Sequence, residues 1–293
     1  MEINRRKFML KGSQVLLAAS AMPSLSWAQK AASPRFQIAL SQYSLRALLK
    51  DGSLTALDFP QFTLDTFGIK TVDLWEGGLP KDKLDDKAYL TQLREQAAKA
   101  GTDIYLLMTG ALFSHPKKVD QSLKQIIPSI DRAATLGCKY LRVFLSAQDM
   151  ESSVEAMKRL ADEAAKKEIT IVIEPGSSKL SSKGKFLAEL AEKVNHPHCK
   201  LMPDFGKLKN KVYEGTQAML PHAASVSAKM HSFDDKGLQP DFDYVRLTKM
   251  IAESDFKGVI AIEWEGNNLK PVAGVKASQK ILAESFKQNG ITI

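Results

Sequence analysis

The sequence predicts an α/β protein folded as a single closed (β/α)8 barrel. Three observations support this prediction: short apolar segments recur eight times, each is followed by a longer segment with helical periodicity, and no linker rich in Pro, Gly or Ser separates them after residue 28. Eight such units form a parallel sheet that closes on itself, and about 250 residues suit one barrel. The predicted strands are residues 36–40, 71–75, 104–108, 140–144, 169–173, 201–202, 225–229 and 259–262.

The segments between the predicted strands are amphipathic. Apolar residues recur along one stripe of segment 154–164 and the charged residues fall elsewhere, which is typical of a helix packed on a sheet. Gly68, Gly101, Gly137 and Gly258 each stand just before a predicted strand, where a glycine that caps the preceding helix belongs. These features complete the alternation of strand and helix.

The first 28 residues have the features of an export signal. Arg5 and Arg6 precede the short apolar segment 15–19, which leads to a small-x-small pattern at its end. The apolar segment is shorter than the about 20 residues that a membrane-spanning helix requires, so we expect no stable membrane anchor. The sequence therefore predicts a signal peptide at 1–28, recognised by the twin-arginine (Tat) export machinery, and a barrel domain at 29–293 in the periplasm. A basic soluble tail is the alternative.

The formal net charge of +8 at pH 7 does not indicate a nucleic-acid-binding protein. The signal segment carries a net +3 of this charge, and the rest of the chain carries +5. Lysines mostly alternate with acids on helical segments, and no basic run is interleaved with aromatic residues. No glycine-rich phosphate loop occurs in the sequence, which argues against a Rossmann-type nucleotide site. Cys138 and Cys199 are predicted to be buried free thiols, with a disulfide as the alternative.

Polar side chains follow four of the predicted strands, at the end of a barrel where functional groups gather. They are Glu174 after the fifth strand, Asp204 after the sixth, Ser227, Lys229 and His231 on one face of the seventh, and Glu263 and Glu265 on the eighth. Carboxylates so close together repel one another unless a cation compensates, and carboxylates with an imidazole suit Mn²⁺, Mg²⁺, Co²⁺ or Zn²⁺. The alternatives are ion pairs between each acid and a basic residue such as Lys229 or Arg142, and a structural role for His231.

Several segments resemble the sugar phosphate isomerase/epimerase group of the xylose isomerase-like TIM barrel superfamily. They are Leu-Gly-Cys-Lys-Tyr-Leu-Arg-Val at 136–143, Met-Pro-Asp-Phe-Gly at 202–206, the strand and turn at 226–234, and Ile-Glu-Trp-Glu-Gly at 262–266. The resemblance covers nearly the whole chain after the signal segment. It specifies the superfamily and leaves the substrate open, because one fold serves many reactions.

The resemblance implies one divalent metal ion, with a ligand from each of four strands. The implied ligands are Glu174, Asp204, His231 and Glu263. Relatives with a His-x-His pattern would place the ligand of the seventh strand at Ser227 instead. Pro175 and Gly176 stand where many members of the group have Asn-His.

The resemblance also implies a metal-dependent sugar isomerase or epimerase. The metal would polarise the carbonyl of a keto-sugar or sugar derivative, while Glu174 and Glu263 move a proton on the neighbouring carbon through an enediolate. The residues expected to bind this small-molecule carbohydrate are Lys229, Glu265, Trp75 and Arg142. Two alternatives stay open: a lyase that performs β-elimination on keto-glycosides with the same site, and a non-catalytic periplasmic barrel that binds a sugar. The five histidines of the chain argue against a multi-zinc nuclease of the endonuclease-IV type.

Overall fold

The computed structural model describes residues 35–293, which form an eight-stranded parallel barrel. All eight predicted strands and the predicted barrel are confirmed, whereas the predicted signal peptide at 1–28 lies outside the described residues. The strands are β1 (Phe36–Ser41), β2 (Thr71–Trp75), β3 (Asp103–Phe113), β4 (Tyr140–Ser146), β5 (Thr170–Glu174), β6 (Cys199–Leu201), β7 (Ser225–Met230) and β8 (Gly258–Trp264).

The strand order is β6-β5-β4-β3-β2-β1-β8-β7, and all paired neighbours are parallel. The barrel closes between β6 and β7 through two isolated bridges, Leu201 to Ala223 and Asp204 to Ser227. At the second bridge the N–H of Ser227 donates to the carbonyl oxygen of Pro203 at 2.8 Å. This seam brings Asp204 next to β7.

The helices follow the strands in the predicted alternation. They are α1 (Arg46–Lys50), α2 (Phe59–Phe67), α3 (Lys87–Ala100), α4 (Val119–Leu136), α5 (Met150–Ala165), α6 (Gly184–Val194), α7 (Phe205–Leu208), α8 (Val212–Met219), α9 (Tyr244–Glu253) and α10 (Pro271–Gln288). Among residues 35–293, none of them has the length and apolar character needed to cross a membrane.

Three of the four predicted glycine caps are confirmed. Gly68, Gly101 and Gly137 end α2, α3 and α4 with φ values of 69°, 72° and 78°, a left-handed conformation that favours glycine. The prediction for Gly258 is wrong, because α9 is capped by Ser254 and Gly258 begins β8. Glycine is needed there for space, since a Cβ would lie 2.5 Å from the carbonyl oxygen of residue 224.

Apolar side chains pack in two layers. The larger layer fills the space between the barrel and the helices. It includes Cys138 and Cys199, which are buried free thiols as predicted. The smaller layer comprises Ala39, Tyr105, Leu106, Met108, Val172, Met202, Ala224, Val259 and Ala261. Full burial of a large apolar side chain contributes about 1.5–3 kcal/mol to the stability of the folded state. The smaller layer therefore stabilises the barrel beneath its functional end.

Strand β3 is longer and less regular than predicted. It runs for 11 residues, and its pairing with β4 changes register between Met108 and Ala111. Such irregularities bend a strand and are common next to functional sites. The irregular stretch contains Thr109 and Gly110, which line the cavity at the carboxyl ends of the strands.

Candidate active site

A polar cavity of about 430 Å³ opens at the carboxyl ends of the strands. Six of the residues predicted to act in the site line it, together with residues that the sequence did not single out. The lining residues are Tyr43, Trp75, Glu76, Gly77, Met108, Thr109, Gly110, Arg142, Phe144, Glu174, Lys207, Lys229, Glu263 and Glu265. The strand ends therefore converge as the barrel topology requires.

The ammonium group of Lys229 lies at the centre of four carboxylates. Lys229 comes from β7, where it pairs in register with Glu263 of β8, and its side chain is only 2% exposed. The distances from its Nζ are 3.0 Å to Glu265, 3.1 Å to Glu263, 3.3 Å to Asp204 and 3.9 Å to Glu174. Burial alone would lower the pKa of Lys229, but the carboxylates outweigh it and raise this pKa above its usual value. Lys229 is therefore a permanent cation.

Glu174 has a second basic partner in Arg142. The Nε of Arg142 lies 2.9 Å from Oε2 of Glu174. Arg142 is held by Nη1, which donates to the carbonyl oxygen of Thr109 at 2.8 Å, and by the ring of Phe144, 4.3 Å from its guanidinium carbon. Burial raises the pKa of Glu174 to about 8, although Arg142 opposes the shift. Burial therefore favours the protonated form of Glu174.

The other two buried acids are fixed by neighbouring donors. Oδ1 of Asp204 accepts the backbone N–H of Lys207 at 2.7 Å, because Asp204 caps the short helix α7. Oε2 of Glu263 accepts the hydroxyl of Ser227 at 2.8 Å. Ser227, the alternative metal ligand on the seventh strand, therefore orients a carboxylate instead.

His231 directly follows β7 and lies against Gly206. It lines a different cavity together with Tyr213 and Asp241, and a Cβ on Gly206 would lie 2.5 Å from its Nε2. The same position lies 2.7 Å from Cδ of Lys229, so both side chains pass Gly206. Strand β7 ends at Met230, and the placement of His231 on one face with Ser227 and Lys229 stays a prediction.

Trp75 forms one wall of the cavity, whereas Trp264 belongs to the core. The ring of Trp75 meets Tyr43 edge-on, with ring centroids 4.9 Å apart. Trp75 also lines a second cavity of about 750 Å³ beside the first. Trp264 is buried against Phe233 at 5.4 Å.

Sequence reasoning missed two acids on or after β2. Glu76 directly follows the strand and lines the cavity; its oxygens pair with Arg132 at 2.7 Å and accept the hydroxyl of Thr109 at 2.5 Å. The strand-end rule that found Glu174 would have found it. Asp73 interrupts the strand itself and is buried. Its position inside an otherwise apolar strand is the sequence feature that could have identified it.

A sequence model of the xylose isomerase-like TIM barrel family matches residues 63–285. The chain belongs to this family. A comparison with curated proteins finds no match.

Solved structures of other proteins share the fold at low sequence identity. The zinc-bound IolI protein is 14% identical, with a TM-score of 0.68, and the match covers 86% of this chain and 98% of that one. The 3-keto-D-glucoside 4-epimerase YcjR from E. coli is 12% identical, with a TM-score of 0.64, and the match covers 84% of this chain and 98% of that one. A sugar phosphate isomerase/epimerase from Parabacteroides distasonis is 14% identical, with a TM-score of 0.64, and the match covers 90% of this chain and 100% of that one. The chain spans 45% of a xylose isomerase-like TIM barrel/4-hydroxyphenylpyruvate dioxygenase fusion protein.

The site of this xylose isomerase-like barrel does not fit the divalent ion that the resemblance implies. The implied ligands are Glu174, Asp204, His231 and Glu263, and the ammonium of Lys229 occupies the space between the three acids of this set. Within residues 35–293, no group of three or more His, Cys, Asp or Glu side chains is arranged to hold a metal ion. The contacts found are ion pairs from the acids to Lys229 and Arg142, which the sequence analysis gave as the alternative to a metal site.

Proposed function

We propose that the protein is a sugar isomerase or epimerase that moves a proton on the carbon next to the carbonyl of a keto-sugar or sugar derivative. The observation that carries the proposal is the position of two buried carboxylates, Glu174 and Glu263, on the same ammonium group at a polar cavity. Two positioned carboxyl groups can act as base and acid in one reaction. The fold shared with an epimerase of a 3-keto-glucoside and a sugar phosphate isomerase/epimerase supports the substrate class.

Glu263 acts as the base in this mechanism. The hydroxyl of Ser227 donates to its carboxylate and the ammonium of Lys229 pairs with it at 3.1 Å, so the carboxylate is held in one orientation at the cavity. The C–H bond next to the carbonyl breaks, the proton passes to Glu263, and the electron pair moves onto the carbonyl oxygen to give an enediolate. Glu174 then returns its own proton to carbon, since burial leaves this carboxyl protonated near neutral pH. Return on the opposite face gives an epimer.

Other cavity residues bind and stabilise the substrate. Lys229 and Arg142 supply positive charge for the developing oxyanion, and charges already held in place need no reorganisation during the reaction. Glu265 is 23% exposed at the rim, where it accepts hydrogen bonds from sugar hydroxyls. Trp75 presents an apolar surface to the sugar ring.

A lyase acting on keto-glycosides is the second candidate, and the second cavity favours it. This larger cavity, lined by apolar side chains such as Leu49, Leu54 and Leu79, meets the polar one at Trp75 and Gly77. A glycoside would place its sugar in the polar cavity and its other substituent in the apolar one. The enediolate would then expel this substituent from the next carbon, with the proton of the acid passing to the leaving oxygen.

Proton exchange in deuterated water tests the proposal. Purified protein is incubated with a panel of keto-sugars and keto-glycosides, and we expect deuterium at the carbon next to the carbonyl of the substrate. Glu174→Gln and Glu263→Gln should each lower the exchange rate by about 100-fold or more, because each removes a proton carrier. Glu163→Gln on the exposed face of α5 is the matched control and should leave the rate unchanged.

The products separate the candidates. An epimer or isomer identifies the first reaction, and release of the substituent identifies the lyase. Calorimetric binding of a sugar without any exchange would show a non-catalytic binding barrel and overturn the proposal. Exchange that persists in both glutamine variants would remove the mechanism with two carboxylates.

A further inference from the structure

Four carboxylates that converge on one point require a compensating cation. Asp204, Glu174, Glu263 and Glu265 come from the ends of β5 and β8 and the loop after β6, and all lie within 4 Å of one atom. Without a positive charge among them, their repulsion and burial would be costly. Here the charge belongs to a side chain of the protein, the ammonium of Lys229.

We propose that Lys229 is a resident cation that takes the place of a divalent metal ion, so that the site works without metal and becomes a metal site only when this lysine is shortened. The first half of the inference rests on the proposed function. The second half concerns ion binding alone and is independent of any reaction.

The space between the carboxylates suits an ammonium group and leaves none for a metal. Divalent ions hold carboxylate oxygens at about 2.0–2.6 Å, whereas the oxygens around Nζ of Lys229 stand at 3.0–3.9 Å. A metal close enough to bind Glu263 and Asp204 would lie against the ammonium, and two cations in a buried site repel strongly.

The lysine is also held so that it cannot move aside. Its backbone pairs with Glu263 across β7 and β8, and its carbonyl oxygen accepts the hydroxyl of Tyr244 at 2.7 Å. Its stem passes so close to Gly206 that a Cβ there would lie 2.7 Å from Cδ. These contacts along the backbone and the stem fix the position of Nζ at the floor of the cavity.

An ammonium group changes how substrate is bound. It offers three N–H donors and no coordination sites, so a carbonyl oxygen is polarised by a hydrogen bond. The substrate oxygen must replace one carboxylate contact. Glu265 is the most exposed of the four partners, at 23%, so the carbonyl approaches Nζ from the side of Glu265.

Metal titration of two matched variants tests the inference. Lys229→Ala empties the centre of the carboxylates, whereas Lys229→Met removes the charge and keeps an apolar chain of similar length there. Binding of Mn²⁺ is measured by calorimetry, and Tm is measured with and without Mn²⁺. We expect Lys229→Ala to bind one Mn²⁺ at least tenfold more tightly than the wild type and to rise in Tm with the ion. The methionine variant should gain neither.

Three outcomes would overturn the inference. One is wild-type protein that binds Mn²⁺ with an affinity that Asp204→Asn lowers, and another is proton exchange that a chelator abolishes and Mn²⁺ restores. The third is folded Lys229→Ala that binds Mn²⁺ no better than the wild type. If that variant does not fold, the wild-type titration decides. Mn²⁺ binding is measured without substrate. If no sugar in the panel exchanges its proton, that result would therefore contradict the proposed function and leave the inference on ion binding unaffected.

Discussion

Two buried acids of the barrel differ in their partners and therefore in their roles. Glu174 faces the cavity and pairs with Arg142 at 2.9 Å. Asp73 lies within β2, where its Oδ1 accepts the backbone N–H of Gln42 at 3.1 Å. Burial, with a contribution from the charge of Glu263, raises the pKa of Asp73 to about 8. Asp73 therefore keeps its proton in the folded state at neutral pH.

Asp73→Asn should change how stability depends on pH. Wild-type Asp73 stays protonated when folded up to about pH 8 but loses its proton when unfolded above about pH 4, so its contribution to stability falls as pH rises through this window. Asparagine keeps the acceptor and does not ionise. We expect the free energy of unfolding of the variant, minus that of the wild type, to increase between pH 4.5 and pH 8 by up to about 1.4 kcal/mol per pH unit.

Urea denaturation at several pH values measures this difference. Asp255→Asn, at an exposed position before β8, is the control and should show a constant offset from the wild type. A constant offset for Asp73→Asn as well would mean that Asp73 is ionised in the folded protein.

At the scale of elements, the pair β7 and β8 organises the site. Ser227 and Lys229 alternate on β7 and both contact Glu263 of β8, one through its hydroxyl and one through its ammonium. Ser225 stands one pleat deeper on the same face, 3.1 Å from the hydroxyl of Tyr105. The strand thus carries a hydrogen-bonding serine both at the site and below it.

Ser227→Ala should slow proton exchange and leave substrate affinity nearly unchanged. The hydroxyl touches Glu263 and not the cavity, so its loss frees the base to move; a lost hydrogen bond of about 1–1.5 kcal/mol corresponds to a rate about tenfold lower. Exchange kinetics measure kcat and KM separately. Ser225→Ala is the matched control on the same strand and should keep the wild-type kcat. A change in KM alone for Ser227→Ala would indicate that the hydroxyl binds substrate instead.

The elements show why the site was predictable only in part. Glu174 and Glu263 could be predicted because each ends an apolar strand of a barrel whose strand ends meet. The end of β7 at Met230, directly before His231, could not be predicted, since the sequence does not mark it. Thr109 was missed because periodicity does not reveal a strand that continues beyond a register shift.

For the whole molecule, the repeated alternation of strand and helix was sufficient to predict the barrel. Each apolar segment must be buried on both faces, which only a sheet covered by helices allows. The pairing that closes the barrel was not predictable, because β6 has only three residues and its contacts with β7 are isolated bridges. The position of Lys229 among the acids depends on that closure.

Export should depend on the paired arginines near the start of the chain. Replacing Arg5 and Arg6 together by lysine keeps the charge and removes the pair that twin-arginine export requires. We expect full-length protein to accumulate in the cytoplasm, as measured by fractionation and mass spectrometry. Lys30→Arg, beyond the predicted signal peptide, is the control. Shortened periplasmic protein from the double variant would contradict the twin-arginine assignment and leave the barrel unaffected.

The seam between β6 and β7 links the ion pair of Asp204 and Lys229 to the opening of the barrel. Two backbone bridges join these strands, and the contact of Asp204 with Lys229 at 3.3 Å spans the same gap. Local opening of a protein begins where few hydrogen bonds hold elements together. Amide hydrogens along the seam should thus exchange with solvent at a rate set partly by these two side chains. Evolution could then not alter the charges that process substrate without also altering how often the barrel opens.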